Sequence, residues 1–194
     1  MKGISMCGRH PLCTRSIAFG LIAFPVFLVA EPRPPGGQRS SHLSPELVNR
    51  MIVNLGPRGA LERLKKPDAI AILEIMAGVG SARHEWLDVA AQLVPVSDGF
   101  AEQMLIAGLS MALEKDPVAV LERSSAGVPI DKVCAYDPLT PVSSTRTRAD
   151  FNHALIPREQ ALERVTQTEL SEVKLRCVNA LSRLRTERAY LYEP

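Results

Sequence analysis

The sequence predicts an all-α fold: a compact multi-helix bundle or short HEAT-like helical stack, with a long C-terminal helix. Three observations carry that prediction. From Ser44 onward apolar residues recur at helical spacing. Capping residues and prolines open these runs, and glycines close them. No run shows strand alternation, and the Pro-rich loops hold no Asn-Gly or Asp-Gly hairpin signal.

Taken in order, Ser44 can cap and Pro45 suits a first helical position. Leu47, Val48, Met51, Ile52 and Leu55 then form one stripe before Gly56 ends the helix. Pro57 opens a second short helix with Ala60, Leu61 and Leu64 inward and Lys65-Lys66 in its last turn, where cations suit the helix dipole. The segment Ala69 to Ala77 is apolar on nearly every side apart from Glu74, which predicts a helix at the centre of the fold. Gly78-Val79-Gly80 breaks it, and Ser81 is placed to cap a helix that buries Trp86, Leu87, Val89, Ala90 and Leu93. Another helix runs from about Ser97-Asp98 to Lys115. Asp116-Pro117 starts a short one, and Pro129 opens a turn ending near Cys134. Gly56-Pro57-x-x-Ala60-Leu61 is echoed by Asp116-Pro117-x-x-Val120-Leu121, the kind of echo that stacked helical hairpins produce. Residues 135–152 turn to Pro, Ser, Thr and Arg and predict an exposed loop. Leu162, Thr166, Leu170, Val173, Cys177, Leu181 and Leu184 then recur at steps of three and four, predicting one continuous helix from about Pro157 to Glu187.

At 194 residues the chain suits one domain with a genuine core. Residues 1–30 read as a signal peptide. Lys2, Arg9 and Arg15 are the only formal charges before Glu31, and Ile17 to Ala30 is an uncharged apolar run. As a helix that run spans about 21 Å, short of the roughly 30 Å hydrocarbon core, so no stable membrane span is expected once the signal is removed. Residues 31–43, rich in Pro, Gly and Ser, read as a disordered tether to a single helical domain at 44–188. Removing the three early cations leaves 20 Lys and Arg against 21 acids, no footprint for nucleic acid. Periplasmic or secreted localisation follows. Cys7 and Cys13 lie within the signal, leaving Cys134 and Cys177 as one even pair in an oxidising compartment, where a disulfide is the leading reading.

The stretch from Asn54 to Cys134 resembles a family of small exported proteobacterial proteins of unknown function. The resemblance rests on Gly56-Pro57 with Ala60; Trp86-Leu87-x-Val89-Ala90-x-x-Leu93-x-Pro95-Val96-Ser97-Asp98; Ala112-Leu113 with Pro117, Val120 and Leu121; and Val133-Cys134. It covers under half the chain and implies an exported helical protein. It brings no activity, cofactor or catalytic residue with it.

Candidate chemistry is sparse. His84-Glu85-x-x-Asp88 puts His84 and Asp88 on one helical face and resembles the first half of a zinc-peptidase helix, with Asp where the second His would stand. His153 is the one further His available as a third ligand, since His10 lies in the signal and His42 in the tether. The competing reading makes His84, Glu85 and Asp88 a solvated face opposite Trp86, Leu87 and Val89. No Gly-x-Ser-x-Gly elbow occurs, and Gly78-Val79-Gly80 lacks the third glycine and preceding strand of a dinucleotide site. Met104 and Met111 lie seven apart on one face, as in an adaptable groove, although core filling is the ordinary use of such residues. No cofactor is expected. The reading reached by elimination is a monomeric or weakly associating module that binds an envelope protein or peptide, with an exposed apolar patch beside the Trp86 helix or along the Cys177 helix. A metal-dependent or other hydrolytic enzyme built on His84, Asp88 and His153, and an inhibitor or immunity-type protein, are the alternatives.

Overall fold

A computed structural model describes residues 43–66, 70–137 and 147–188. The signal, nearly all of the tether and residues 138–146 of the loop lie outside the described residues. The first helix, α1 (Pro45–Leu64), starts where the Leu47 amide donates to Ser44 Oγ at 3.3 Å, with Pro45 in the first turn. Gly56 interrupts it at φ +71°, a conformation open to glycine, and Pro57 restarts the helix. Its Val48, Ile52, Ala60, Leu61 and Leu64 are buried, chiefly against α3 (His84–Leu93).

In chain order α2 (Ile70–Gly80) comes between them, and it packs chiefly on the helix that follows α3. Ser81 does not cap α3: its hydroxyl turns back to donate to the Gly78 carbonyl at 2.6 Å, Ala82 adopts φ +64°, and α3 begins after Arg83 with no side-chain cap. Trp86 of α3 lies flat on Gly78, where a Cβ would sit 2.5 Å from the indole.

A turn of 3₁₀ helix at Val94–Val96 leads to α4 (Gly99–Lys115), and this is the helix at the centre. It packs on α2 and α3, and then on α5 (Pro117–Glu122), α6 (Ile130–Cys134) and α7 (Arg148–Glu163). Leu105, Leu109, Ala112 and Leu113 are fully buried. The sequence placed α2 at the centre instead. In the structure α2 buries Ile72, Ile75 and Val79 but turns Ile70 and Leu73 outward, because α4, with small residues at Ala101, Ala107 and Gly108, can be surrounded more closely. Gly108 shows how closely: a Cβ there would lie 2.8 Å from the Met76 carbonyl oxygen.

Asp116 caps α5 through the Ala119 amide, at 3.0 Å, as its Asp-Pro start predicts. The predicted loop is shorter than its composition suggested. Asp137 is buried, and α7 starts at Arg148 behind a reciprocal capping box in which Thr147 and Asp150 satisfy each other's backbone amides. The fold is all-α among the described residues and the long C-terminal helix is present, but it starts later than the predicted Pro157. α7 ends at Glu163, and α8 (Ser171–Arg188) follows a 3₁₀ turn at Thr168–Leu170. The break falls at residues 165–167, where the Gln167 side chain accepts the Thr166 amide and Lys174 donates to the Val165 carbonyl at 2.8 Å. Thr166, the polar member of the sequence seam, is exposed, while α7 and α8 pack on one another as a single helix could not.

Candidate functional site

Two faces could contact other molecules. The first is the outer edge shared by α2 and α4. Gly108 sits against Met76, and Gly80 against Met111, so residue numbers rise together along both helices and the two run parallel. Leu73, Phe100 and Met111 stand 41%, 48% and 45% exposed, with Met76 and Met104 half-buried between them. The methionines thus do not simply fill the core: Met111 lies on Gly80 at the surface. No Asp, Glu, Lys or Arg falls among these positions. Of the charges bordering this edge, Glu74 accepts the Leu43 amide at 3.3 Å and Lys115 donates to the Gly80 carbonyl.

The second face is a groove of about 410 Å³ between α7 and α8. Leu162, Val178 and Leu181 line it, and Glu159 and Arg185 bridge it at 2.7 Å. Leu175 and Val178 are exposed beside it on α8. Leu175 and Val178 thus surface along the Cys177 helix, whereas the apolar edge of α2 and α4 lies on other helices than the one that carries Trp86. On the other flank of α8 the Arg176–Asp131 pair, at 2.6 Å, borders a polar depression.

That pair runs alongside the cysteines. Cys134 ends α6 and Cys177 sits on the inner face of α8; both are fully buried, with Cα atoms 5.3 Å apart and sulfurs at bonding distance. The distance lies within the range a disulfide spans.

The most buried charge among the described residues was not foreseen from sequence. Arg158, 2% exposed, reaches from α7 between α4 and the end of α6, donating Nε to Glu114 at 3.2 Å and a terminal nitrogen to the Tyr136 carbonyl. Burial pulls its guanidinium below the usual arginine range, while Glu114 and Asp137 hold it up. In the sequence it resembles ordinary polar surface after Pro157, and only the tertiary partners reveal its place.

His84, Asp88 and His153 are not brought together. His84 faces Asp116 at 3.5 Å, Asp88 pairs with Arg123 at 2.8 Å, and His153 is exposed on α7. Among the described residues no group of three or more His, Cys, Asp or Glu converges as metal ligands would. Nor, among them, is any helix long and apolar enough to cross a membrane. Compared with family models, with curated proteins and with solved structures, the chain finds no match in any of the three.

Proposed function

We propose that this protein is exported, to the periplasm or beyond the cell, and works there as a module that binds an envelope protein or peptide. The observation that carries the binding role is the outward side of α2 and α4. A helix as apolar as α2 is normally enclosed. Here Leu73 and Ala77 face out, and the apolar surface continues through Phe100 and Met111. Covering such a surface is what a partner would do. The scattered His84, Asp88 and His153 offer no comparable support to the hydrolytic reading.

Export is supported by the basic start and uncharged run of residues 1–30, and by two buried cysteines poised to bond, which suit an oxidising compartment. The test is to isolate the protein from its own cells by fraction and sequence its N-terminus, then pull down partners from the envelope fraction with wild type and Leu73→Glu. A chain starting near Glu31 outside the cytoplasm, retaining a partner that Leu73→Glu loses, is the expected result. An intact chain dissolved in the cytosol overturns the export reading, and a partner set indifferent to Leu73→Glu overturns the binding role of this face.

A further inference from the structure

We infer that the Cys134–Cys177 bond is a redox latch on α8. Closed, it holds that helix on α6; opened by a dithiol reductant, it lets α8 lift away as one unit while the rest of the bundle stays folded. α8 has too little packing of its own to stay down. Of its 18 residues four are buried, Cys177, Ala180, Leu181 and Leu184, whereas the 17 residues of α4 bury nine. One of the four is the cysteine itself and another is an alanine. A helix of this length owes its stability in a protein to the face it packs. That face rests mainly on α6, five residues long, and the groove of about 410 Å³ lies where α7 would otherwise close on it. Leu175 and Val178 meanwhile stay exposed.

The polar ties of α8 are weak, and those of its neighbours do not depend on it. Among the described residues its ion pairs to other helices are Arg176–Asp131 at 2.6 Å and Arg185–Glu159 at 2.7 Å. All four side chains are between 35% and 49% exposed, and pairs so exposed contribute little. α7, by contrast, is held on α4 by Arg158 and Arg164, which donate to the Glu114 carboxylate and carbonyl, and it buries Phe151 and Leu155. α6 keeps its buried Ile130 and Val133, and Lys132 reaches Glu102 of α4 at 2.6 Å.

Opening the latch is thiol–disulfide exchange. One thiolate of the reductant attacks a cysteine sulfur and forms a mixed disulfide; its second thiol then displaces that sulfur, so that the reductant closes into its own disulfide and Cys134 and Cys177 become two thiols. Two electrons and two protons pass to the chain. Both cysteines are fully buried, so exchange waits for α8 to lift. Once the bond is gone, residues 164–177 after α7 are the tether, in place of a covalent link to α6. Removing a closure over a loop of that length favours the lifted state by on the order of a hundredfold.

The test uses the protein purified from its own cells, with the bond first established by non-reducing mass spectrometry. Amide hydrogen exchange in α8 is followed before and after reduction with dithiothreitol, together with the emission of Trp86, the single tryptophan and a buried one. Expected are a rise of about a hundredfold in exchange across Cys177–Leu184, an unchanged Trp86 emission, and return of protection when oxidised dithiothreitol re-forms the bond. Cys134→Ala with Cys177→Ala should show the same fast exchange without any reductant. Arg176→Gln removes an exposed ion pair but keeps the bond, and should change α8 exchange by less than about threefold. Exchange in α8 that reduction leaves within about threefold means that packing alone holds the helix, and overturns the proposal. So does a Trp86 emission that shifts to that of the unfolded chain as α8 loses protection, since the bond then supports the whole fold. Two free thiols in the purified protein overturn it as well.

Discussion

Replacing Arg158 by Met should destabilise the protein by about 2 to 3 kcal/mol, and the cost should depend on what stands at position 114. Arg158 is 2% exposed and Glu114 33%, so the two partners respond differently to losing one another. Met keeps most of the apolar stem volume, so packing changes little. What disappears is the bond to the Tyr136 carbonyl, a charged hydrogen bond of about 1.5 to 3 kcal/mol. Glu114 also loses its cation, but one-third exposure lets water take up part of that loss, so this share is well below the 3 to 5 kcal/mol of a fully enclosed pair. Glu114→Gln acts in the other direction, leaving a guanidinium in the core beside Asp137 and the Tyr136 carbonyl, and should cost about 2 kcal/mol. In the double variant neither charge is stranded, so its cost should fall at least 1 kcal/mol short of the sum of the two singles. Urea unfolding followed by circular dichroism measures all four proteins, with equal slopes required for comparison. If the two single costs add to within about 0.5 kcal/mol, Arg158 and Glu114 do not act as a pair and the account of this site fails.

Two further outcomes are expected from the packing. Cys134→Ala with Cys177→Ala removes a closure across 43 residues and should cost about 4 kcal/mol, or roughly 10 °C in thermal midpoint; non-reducing mass spectrometry of protein from its native compartment should show the bond, and two free thiols there would refute it. Gly108→Ala pushes a Cβ to within 2.8 Å of the Met76 carbonyl and should cost about 1 to 3 kcal/mol by forcing α2 and α4 apart; a thermal midpoint equal to wild type would refute the close crossing.

Most of the helices are legible in the sequence because their signals are local. Ser44 and Asp116 cap where a short polar side chain precedes proline, and Gly56 ends a stripe because its backbone takes a positive φ that glycine adopts readily. Cys134 and Cys177 are legible as a pair by count. The misreadings are failures of local pattern to see tertiary partners. Thr166 continues an apolar seam in spacing only, and the side-chain bonds of Gln167 and Lys174 at the break are invisible to periodicity. Thr147 and Asp150 form a capping box inside a stretch whose composition says loop. α2 reads as central because all its sides are apolar, yet which of two apolar helices becomes the centre depends on how closely neighbours approach, and that is set by Gly108 and the alanines of α4. The exposed surface of the candidate site is therefore visible only in the structure, although the spacing of its methionines is plain in the sequence.

The disposition of cations shows how the helix ends are held. Lys115 donates to the Gly80 carbonyl at the end of α2, Arg164 to the Glu114 carbonyl near the end of α4, Arg123 to the Ala119 carbonyl in α5, Lys174 to the Val165 carbonyl just past α7, and Arg158 to the Tyr136 carbonyl past α6. Helix ends leave carbonyls without intrahelical partners, and basic side chains near the negative end of the dipole satisfy them. Five basic side chains are thereby committed to holding helices, and Glu114 and Asp88 are committed to two of those five. In this fold those seven charged groups close the frame, and Leu73, Phe100 and Met111, which it turns outward along α2 and α4, are apolar.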